Sequence, residues 1–408
     1  MNMVNRKVNF VFGDLNSRGG GERLTLVTMK ATLNKGIKSF DLTTLYRPNL
    51  AQLDISFGRT LSSVMKSLRK IYIISILDYL ENSDLVVEKY SKKDFLTINT
   101  HGDKIPYYNP DMTKDNSIVY CHYPTALHQI YRRNEEYLEN DLNIITSKGI
   151  DKFNPIKTLA NSSEKQVDKI GRIFKLLKNS YTNLLNKSTV LTNSEFSRKA
   201  ILSESISSKV QILNPPVDVE TFRKNCLESS QRKDIILVIS RIDPAKEIEK
   251  ALSLARILKK KGIEKQMLIA GSLTQRNYGY IRILKKTIKE WNLKDCVILR
   301  PNIPLEDLFK IIRKAKVYFH PKSGEHFGIS IAESMAAGLV PIVPDVGGQT
   351  EFVPQKFHYK SLDEAANLIL SSFSTSNSER LEISDSVLGF SSSNYMKKFE
   401  GLLTEKLR

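Results

Sequence analysis

Two carboxylates eight residues apart, Glu325 and Glu333 in the segment Glu325-His-Phe-Gly-Ile-Ser-Ile-Ala-Glu333-Ser-Met-Ala-Ala-Gly338, stand on either side of an expected loop-to-helix junction. Val317 to His320 reads as a strand and the residues up to Gly328 as a loop. Ser330 to Ala337 are good helix formers, and Gly338 is a natural left-handed stop. Glu325 therefore falls in the loop and Glu333 inside the helix. The unpaired N–H groups and the dipole of a helix N-terminus both favour phosphate. One carboxylate before that terminus and another inside the helix can bracket a molecule with hydroxyls at both ends and phosphates between them. A nucleotide sugar has that layout.

A second constellation is Arg241-Ile-Asp-Pro-Ala-Lys246, which follows the strand-like run Ile235 to Ser240 and precedes a helix expected to start near Glu247. A guanidinium and an ammonium five residues apart at a strand end can neutralise a diphosphate, Arg241 as a bidentate fork and Lys246 as a point charge. Near the N-terminus, Gly19, Gly20 and Gly21, followed by Glu22 and Arg23, read as a loop that lets backbone approach a ligand. It is neither Gly-x-Gly-x-x-Gly nor a P-loop. His122, in Val119-Tyr-Cys-His-Tyr-Pro124, ends a strand and could hydrogen-bond a hydroxyl or carry a proton. His101 is a weaker candidate of the same kind. His128, His320 and His358 show nothing beyond packing or exposure.

The elements that must position these residues alternate between strand-like runs and helical patterns, which argues an α/β protein with parallel sheets. Lys7 to Phe12, Phe95 to Thr100, Ser117 to Cys121, Thr189 to Thr192 and Val210 to Leu213 are strands of a first domain, with a helix over Glu22 to Asn34. Asn214-Pro215-Pro216 is a stiff linker. The pattern then restarts with Ile235 to Ser240, Met267 to Ala270, Val297 to Leu299, Val317 to His320 and Val340 to Val343. In doubly wound sheets ligands bind beyond the carboxyl ends of the strands. Gly19 to Gly21, His101, His122, Arg241, Gly271 and Glu325 all fall there. Two domains with facing strand ends would gather them around one cleft.

At 408 residues the chain is too long for one ordinary core. Its 41% hydrophobic and 26% charged content is that of a folded protein. No apolar run approaches the roughly 18 residues of a membrane span. Ile71 to Leu77 is among the longest, and Met1 to Lys7 lacks the apolar segment of a signal peptide. The cytoplasm is the simplest address. Cys121, Cys226 and Cys296 form no Cys-x-x-Cys pair and read as reduced thiols, not zinc ligands.

The net charge of +18, from 62 basic and 44 acidic side chains, attracts polyanions. Nucleic acid is disfavoured as the partner, because no aromatic-glycine RNA signature, zinc-finger spacing or basic recognition helix is present. An anionic membrane surface and phosphorylated substrates remain. Glu164 to Asn186 spaces Val167, Ile170, Phe174, Leu177, Tyr181 and Leu184 along one helix face. From Lys152 to Lys199 the chain has ten basic and three acidic side chains. This helix could lie on an anionic membrane, but packing on the first sheet with lysines in water is the favoured reading.

Taken together, the Glu-x7-Glu segment, Arg241 with Lys246, Thr192-Asn-Ser-Glu-Phe-Ser197, Asn214-Pro-Pro-Val-Asp218 and Gly347-Gly348-Gln-Thr-Glu351 resemble the retaining glycosyltransferases of family 4, which have the GT-B architecture. The similarity covers most of the chain. Within that family, Gly19-Gly-Gly-Glu-Arg23, His122-Tyr-Pro-Thr125, Glu325-His-Phe-Gly328 and Met335-Ala-Ala-Gly338 resemble the mannosyltransferases that extend dolichol-linked oligosaccharide. The resemblance implies that Arg241 and Lys246 hold a donor diphosphate, Glu325 contacts donor-sugar hydroxyls and Glu333 accepts from the ribose hydroxyls. His326, Phe327 and Gly328 would offer backbone N–H groups to sugar and phosphate. The glycine-rich N-terminal loop would close over the phosphates, and His122 would face the reacting sugar.

The implied domains are residues 1–214 and 215–390, with a terminal helix in 391–408, roughly Ser393 to Leu403, crossing back. The implied reaction moves a hexose, first of all mannose from GDP-mannose, to a hydroxyl of a glycan or lipid-linked glycan. It implies no permanently bound cofactor and no required metal. A UDP-sugar donor, or an inactive protein of this fold that binds an anionic membrane or nucleic acid, is the alternative. Ser240 and Glu247 stand where many family members carry glycine. Because the chain lacks the membrane-spanning N-terminus of the eukaryotic mannosyltransferases, a lipid acceptor would be met peripherally, at the cytoplasmic face of the membrane.

Overall fold

The computed structural model describes residues 7–16, 19–74, 95–102, 113–140, 166–204, 206–230, 232–263 and 265–407. Several sequence readings reach outside them: residues 1–6 of the N-terminus, 75–77 of the apolar run, Glu164 and Lys165, and 152–165 of the basic stretch. The chain divides into two compact units. The first comprises residues 1–193, 197–213 and 396–408, and the second 194–196 with 214–395.

The first unit is built on a seven-stranded sheet of β1 (Lys7–Val11), β2 (Phe40–Thr44), β3 (Leu68–Ile73), β4 (Phe95–Asn99), β5 (Ser117–Tyr120), β6 (Thr189–Thr192) and β7 (Val210–Ile212). Their spatial order is 3-2-1-4-5-6-7 and the pairs are parallel. Strand β2 carries none of the apolar runs that mark the others, and β3 only the start of one, Ile71-Tyr-Ile, behind Arg69 and Lys70. In β2, Phe-Asp-Leu-Thr-Thr, every residue is buried, and the Asp41 carboxylate takes the Arg69 guanidinium of β3 in two 2.8 Å bonds. The partner strand β3 lies at the sheet edge, and Arg69 and Lys70 charge it against pairing with another chain.

The second unit has six parallel strands: β8 (Ile235–Ile239), β9 (Gln266–Gly271), β10 (Val297–Pro301), β11 (Val317–Phe319), β12 (Val340–Pro344) and β13 (His358–Tyr359), ordered 10-9-8-11-12-13. Central parallel strands are covered on both faces and so read as continuous apolar runs. Ile-Ile-Leu-Val-Ile in β8 and Val-Tyr-Phe in β11 show this. Both sheets reverse their winding beside their first strand, between β1 and β4 and between β8 and β11. The carboxyl edge of such a switch point is where doubly wound sheets bind ligands.

Gln166–Asn186 forms a helix whose Phe174, Leu177, Tyr181 and Leu184 are buried in the core of the first unit, with Val119, Cys121 and Leu127. Its apolar face is therefore used in packing. Tyr181 also hydrogen-bonds the Tyr137 hydroxyl at 3.1 Å. The last helix, Ser392–Leu407, buries Phe399 and Leu403. From Met396 onward it groups with the first unit, where Glu400 accepts from Asn34 at 2.9 Å and Lys406 donates to the Lys114 carbonyl at 2.7 Å.

Candidate active site

Beyond β8 the chain turns through Ser240 and the exposed Arg241 into a short 3-10 turn, Pro244–Lys246. Asp243 fixes this turn from both sides. Its carboxylate accepts from the Ala245 N–H at 2.9 Å and from Asn277 at 3.0 Å. Glu247 then adopts a left-handed conformation, φ 52°, which a side chain strains and glycine would not. The following helix is Glu249–Lys260 and starts two residues later than its sequence pattern suggests.

Beyond β11 come His320, Pro321, Lys322 and then Glu325, and the last of these is pinned by backbone. Glu325 forms an isolated parallel bridge with Gly347, and its carbonyl accepts the Gly348 N–H at 2.7 Å. A Cβ at Gly348 would stand 2.0 Å from the His326 carbonyl oxygen, so no other residue allows this approach. Ser194, in a three-residue segment that belongs to the second unit, donates to the same His326 carbonyl at 2.7 Å. Two segments far apart in sequence thus hold the backbone that carries Glu325.

The Glu325 carboxylate meets the Lys246 ammonium at 2.7 Å, with side-chain exposures of 14% and 20%. His320 Nε2 lies 3.5 Å from the same oxygen. Burial alone would raise the carboxyl of Glu325, but Lys246 and His320 outweigh it and hold the group well below the ordinary range. Burial pushes the His320 imidazole down from 6.5, with Glu325 opposing and Lys246 and Lys322 assisting. Lys322 is likewise lowered, first by burial and then by Lys246 and Arg241, while Glu325 and Glu247 oppose the change. Three cations, Lys246, Lys322 and Arg241, and two carboxylates, Glu325 and Glu247, therefore share one strand-end cluster.

The helix after the loop is Ile329–Ala336. Gly328 caps it at φ 101°, a conformation open to glycine, and as at any helix start the first N–H groups have no intrahelical acceptor. Ser330 Oγ, in the first turn, is 2.9 Å from the Tyr318 hydroxyl. Glu333 is half-buried one turn on, and with Glu325 it adds to the burial that raises the Tyr318 phenol. At the other end, Gly338 donates to Met335 and Leu339 to Ser334, the paired bonds of a Schellman stop. The remaining carbonyls are taken by side chains: Ala336 by Ser384, Ala337 by Arg232, and Gly338 by Arg380. Two cations at the C-terminus, Arg380 buried and Arg232 half-buried, complement the dipole whose positive end lies at Gly328.

Phe327 packs with Phe352 and Phe390 in an aromatic cluster and is buried. Its side chain anchors the loop, so it can reach a ligand only through its backbone.

The remaining expected site residues belong to the first unit. Gly19 is the extended N-cap of the helix Gly20–Asn34, so Gly20 and Gly21 form the first helical turn and not, as expected, a loop. Glu22 folds back over Gly19, close enough that a Cβ there would collide with its carboxylate. His122 Nε2 lies 3.0 Å from the Thr100 carbonyl. A carbonyl only accepts, so Nε2 carries the hydrogen and Nδ1 is the basic atom of the neutral ring. A Cβ on Gly21 would stand 3.8 Å from His122 Nε2, which places this histidine beside the glycine-led helix start. His101 Nδ1 accepts from the Gly13 N–H at 3.4 Å. His128 pairs with Glu204 at 2.7 Å.

His320 corrects the sequence reading, which assigned it nothing beyond packing. Its place at the end of a core strand, five residues before Glu325, is the signal that could have found it. Tyr318, Ser330, Lys322, Arg232 and Arg380 were missed as well. The two arginines come from segments outside the motif, so no local spacing points to them.

Residues 219–371, all within the second unit, match the family described as Glycosyl transferases group 1. The chain is similar to the GDP-Man:Man(3)GlcNAc(2)-PP-Dol alpha-1,2-mannosyltransferase of Caenorhabditis elegans, 26% identical over 57% of this chain and 49% of that protein. It is also similar to the enzyme of the same name from Xenopus tropicalis, 34% identical over 35% and 30%. The chain thus spans half or less of the length of these relatives. Among solved structures it resembles the sucrose-phosphate synthase of Thermosynechococcus elongatus, with a TM-score of 0.67 at 14% identity over 98% and 99% of the two chains. Anabaena HepE in complex with UDP and glucose gives 0.62 at 14% over 99% of each. These likenesses establish the GT-B architecture of paired parallel-sheet domains.

Proposed function

We propose that the chain is a retaining glycosyltransferase of family 4 type that moves mannose from GDP-mannose to a hydroxyl of a lipid-linked glycan. The observation that carries this reading is the Lys246–Glu325 ion pair at the switch point of the second sheet, beside the Gly328-led helix N-terminus. Names of the relatives, which match part of this chain, supply the sugar and the acceptor class.

In this reading Arg241 and Lys246 neutralise the donor diphosphate, helped by the backbone N–H groups that follow Gly328. As the glycosidic bond breaks, the leaving diphosphate gains charge, and fixed cations there favour the transition state over the ground state. Glu325 takes hydroxyls of the sugar and Glu333 those of the ribose. His122, with Nδ1 as its basic atom, and the helix start at Gly19 to Gly21 serve the reacting sugar and the phosphates. The reaction is metal-independent.

Contact with an anionic membrane at its cytoplasmic face belongs to the same reading. No helix among the described residues is long and apolar enough to cross a membrane. Mannose transfer to a dolichol-linked acceptor, with product linkage read by α-mannosidase digestion, tests the whole. An α-linked product supports it, whereas donor hydrolysis unaffected by acceptor contradicts transfer. Transfer from a UDP-sugar but not from GDP-mannose contradicts the donor.

A further inference from the structure

His320 is 2% exposed, and polar groups from four segments face it. On Nε2 stands Glu325, at 3.5 Å. Toward Nδ1 stands the Tyr318 hydroxyl, at 3.2 Å. That hydroxyl lies 3.2 Å from the Ile239 carbonyl and 2.9 Å from Ser330 Oγ. Tyr359 donates to the His320 carbonyl at 2.8 Å, and Lys246 and Lys322 act on the ring through their charge.

This arrangement suits two protonation states. In the neutral ring Nε2–H faces Glu325, and Nδ1 accepts from Tyr318. In the protonated ring Nδ1–H donates to the Tyr318 oxygen, and the phenolic hydrogen turns to the Ile239 carbonyl, which can only accept. Both states keep Nδ1 hydrogen-bonded to Tyr318, while Nε2 faces the Glu325 carboxylate at 3.5 Å, an electrostatic contact longer than a hydrogen bond that strengthens when the ring is charged. Ser330, half-buried in the first turn of the helix, links this chain of hydroxyls to the phosphate end of the site.

We propose that His320 is a positioning residue that takes a proton from solvent when a donor draws Lys246 onto its diphosphate, and then replaces Lys246 as the cation holding Glu325. The inference rests on the donor placement proposed above. Lys246 cannot serve the diphosphate and Glu325 equally well. Once it leaves, a buried carboxylate loses its main counter-charge, and the repulsion that Lys246 exerts on the imidazolium falls. Protonation of His320 answers both changes. It keeps Glu325 ionised and oriented toward the sugar.

Calorimetric titration of the full chain with GDP-mannose and with UDP-glucose, each in two buffers of different ionisation enthalpy at pH 7, tests this. Neither nucleotide sugar has a phosphate that titrates near neutrality. The expected result is net proton uptake on donor binding, with affinity tightening as pH falls by up to about tenfold per unit. His320→Gln, which keeps a donor toward Glu325 and cannot titrate, abolishes the uptake and flattens the pH profile. Tyr318→Phe, which removes the acceptor for Nδ1–H, reduces both.

Donor binding with equal heats in both buffers overturns the inference and leaves the donor site standing. Uptake that persists in His320→Gln assigns the proton to Glu325 and overturns it too. Failure of folded wild-type chain to bind either nucleotide sugar overturns the donor placement itself, and the inference with it. If His320→Gln does not fold, the wild-type proton count and pH profile decide.

Discussion

The Lys246 ammonium lies 2.7 Å from the Glu325 carboxylate, so the two side chains expected to grip the diphosphate and the sugar of one donor are bonded to each other. A diphosphate must break this pair to reach Lys246. The pair keeps both charges compensated and pre-places the cation within a short swing of the phosphate end.

Glu325→Gln therefore separates binding from transfer. It releases Lys246 from its carboxylate partner, and affinity for free nucleoside diphosphate is expected to stay equal or rise by up to about tenfold, the scale of one charge-assisted bond. Transfer is expected to fall at least as far, because the amide accepts less strongly from sugar hydroxyls. Titration with GDP beside a transfer assay checks this, and weaker GDP binding would place Glu325 at the phosphate.

Stability should fall as pH is lowered below neutrality. His320 is held below 6.5 because burial disfavours its imidazolium. The unfolded chain then binds the proton first as pH drops through 6.5, and since it binds more protons than the folded chain, unfolding free energy declines with pH. Glu325 is held below its ordinary 4.5 and adds a loss of the same sign at lower pH. Urea unfolding of His320→Gln should show a shallower decline between pH 7 and pH 5. An unchanged slope would mean that His320 does not titrate differently on folding.

Arg380→Ala should destabilise the second unit. Arg380 is 3% exposed and donates to the carbonyls of Lys316, Gly338 and Ser372. Burial and the neighbouring Arg232 push its guanidinium down to about 10. Its loss leaves the Gly338 carbonyl unpaired at the helix C-terminus, while those of Lys316 and Ser372 keep backbone partners, at a cost of roughly 1 to 3 kcal/mol. The urea transition of the second unit reads this directly, and a change below about 0.5 kcal/mol would mean that water replaces the side chain.

Gly348→Ala should disable the site from outside it. The added Cβ would meet the His326 carbonyl at 2.0 Å and Ser194 Oγ at 2.8 Å, and the carbonyl is backbone that cannot swing away. Glu325 would move with it. Donor affinity and Tm are both expected to drop, and wild-type donor affinity in a folded variant would show that Glu325 tolerates the displacement.

Much of this was legible in the sequence because the second sheet is apolar strand by strand and its loops are punctuated by glycine and proline. Strands β8, β9, β11 and β12 announce themselves as runs buried on both faces. Strands β2 and β3 do not, since one hides a buried aspartate and the other is a charged edge; only their pairing through Asp41 and Arg69 makes sense of them. Within the site, Arg241, Lys246, Glu325 and the Gly328 cap were readable because they are local to strand ends. Arg232 and Arg380 were not, because they reach the helix end from segments 105 and 42 residues away in sequence. His320 was overlooked because a histidine ending an apolar strand has the pattern of a packed residue, and only its 3.5 Å approach to Glu325 shows otherwise.

If Lys246 holds the diphosphate of a nucleotide sugar, removing its ammonium must weaken nucleotide binding. Calorimetric titration of GDP into wild-type chain and Lys246→Ala tests it most directly. GDP is expected to bind wild type, with affinity about ten- to a hundred-fold weaker in the variant, the equivalent of roughly 1.5 to 3 kcal/mol for one charged hydrogen bond. Equal affinity in the two folded proteins would contradict it.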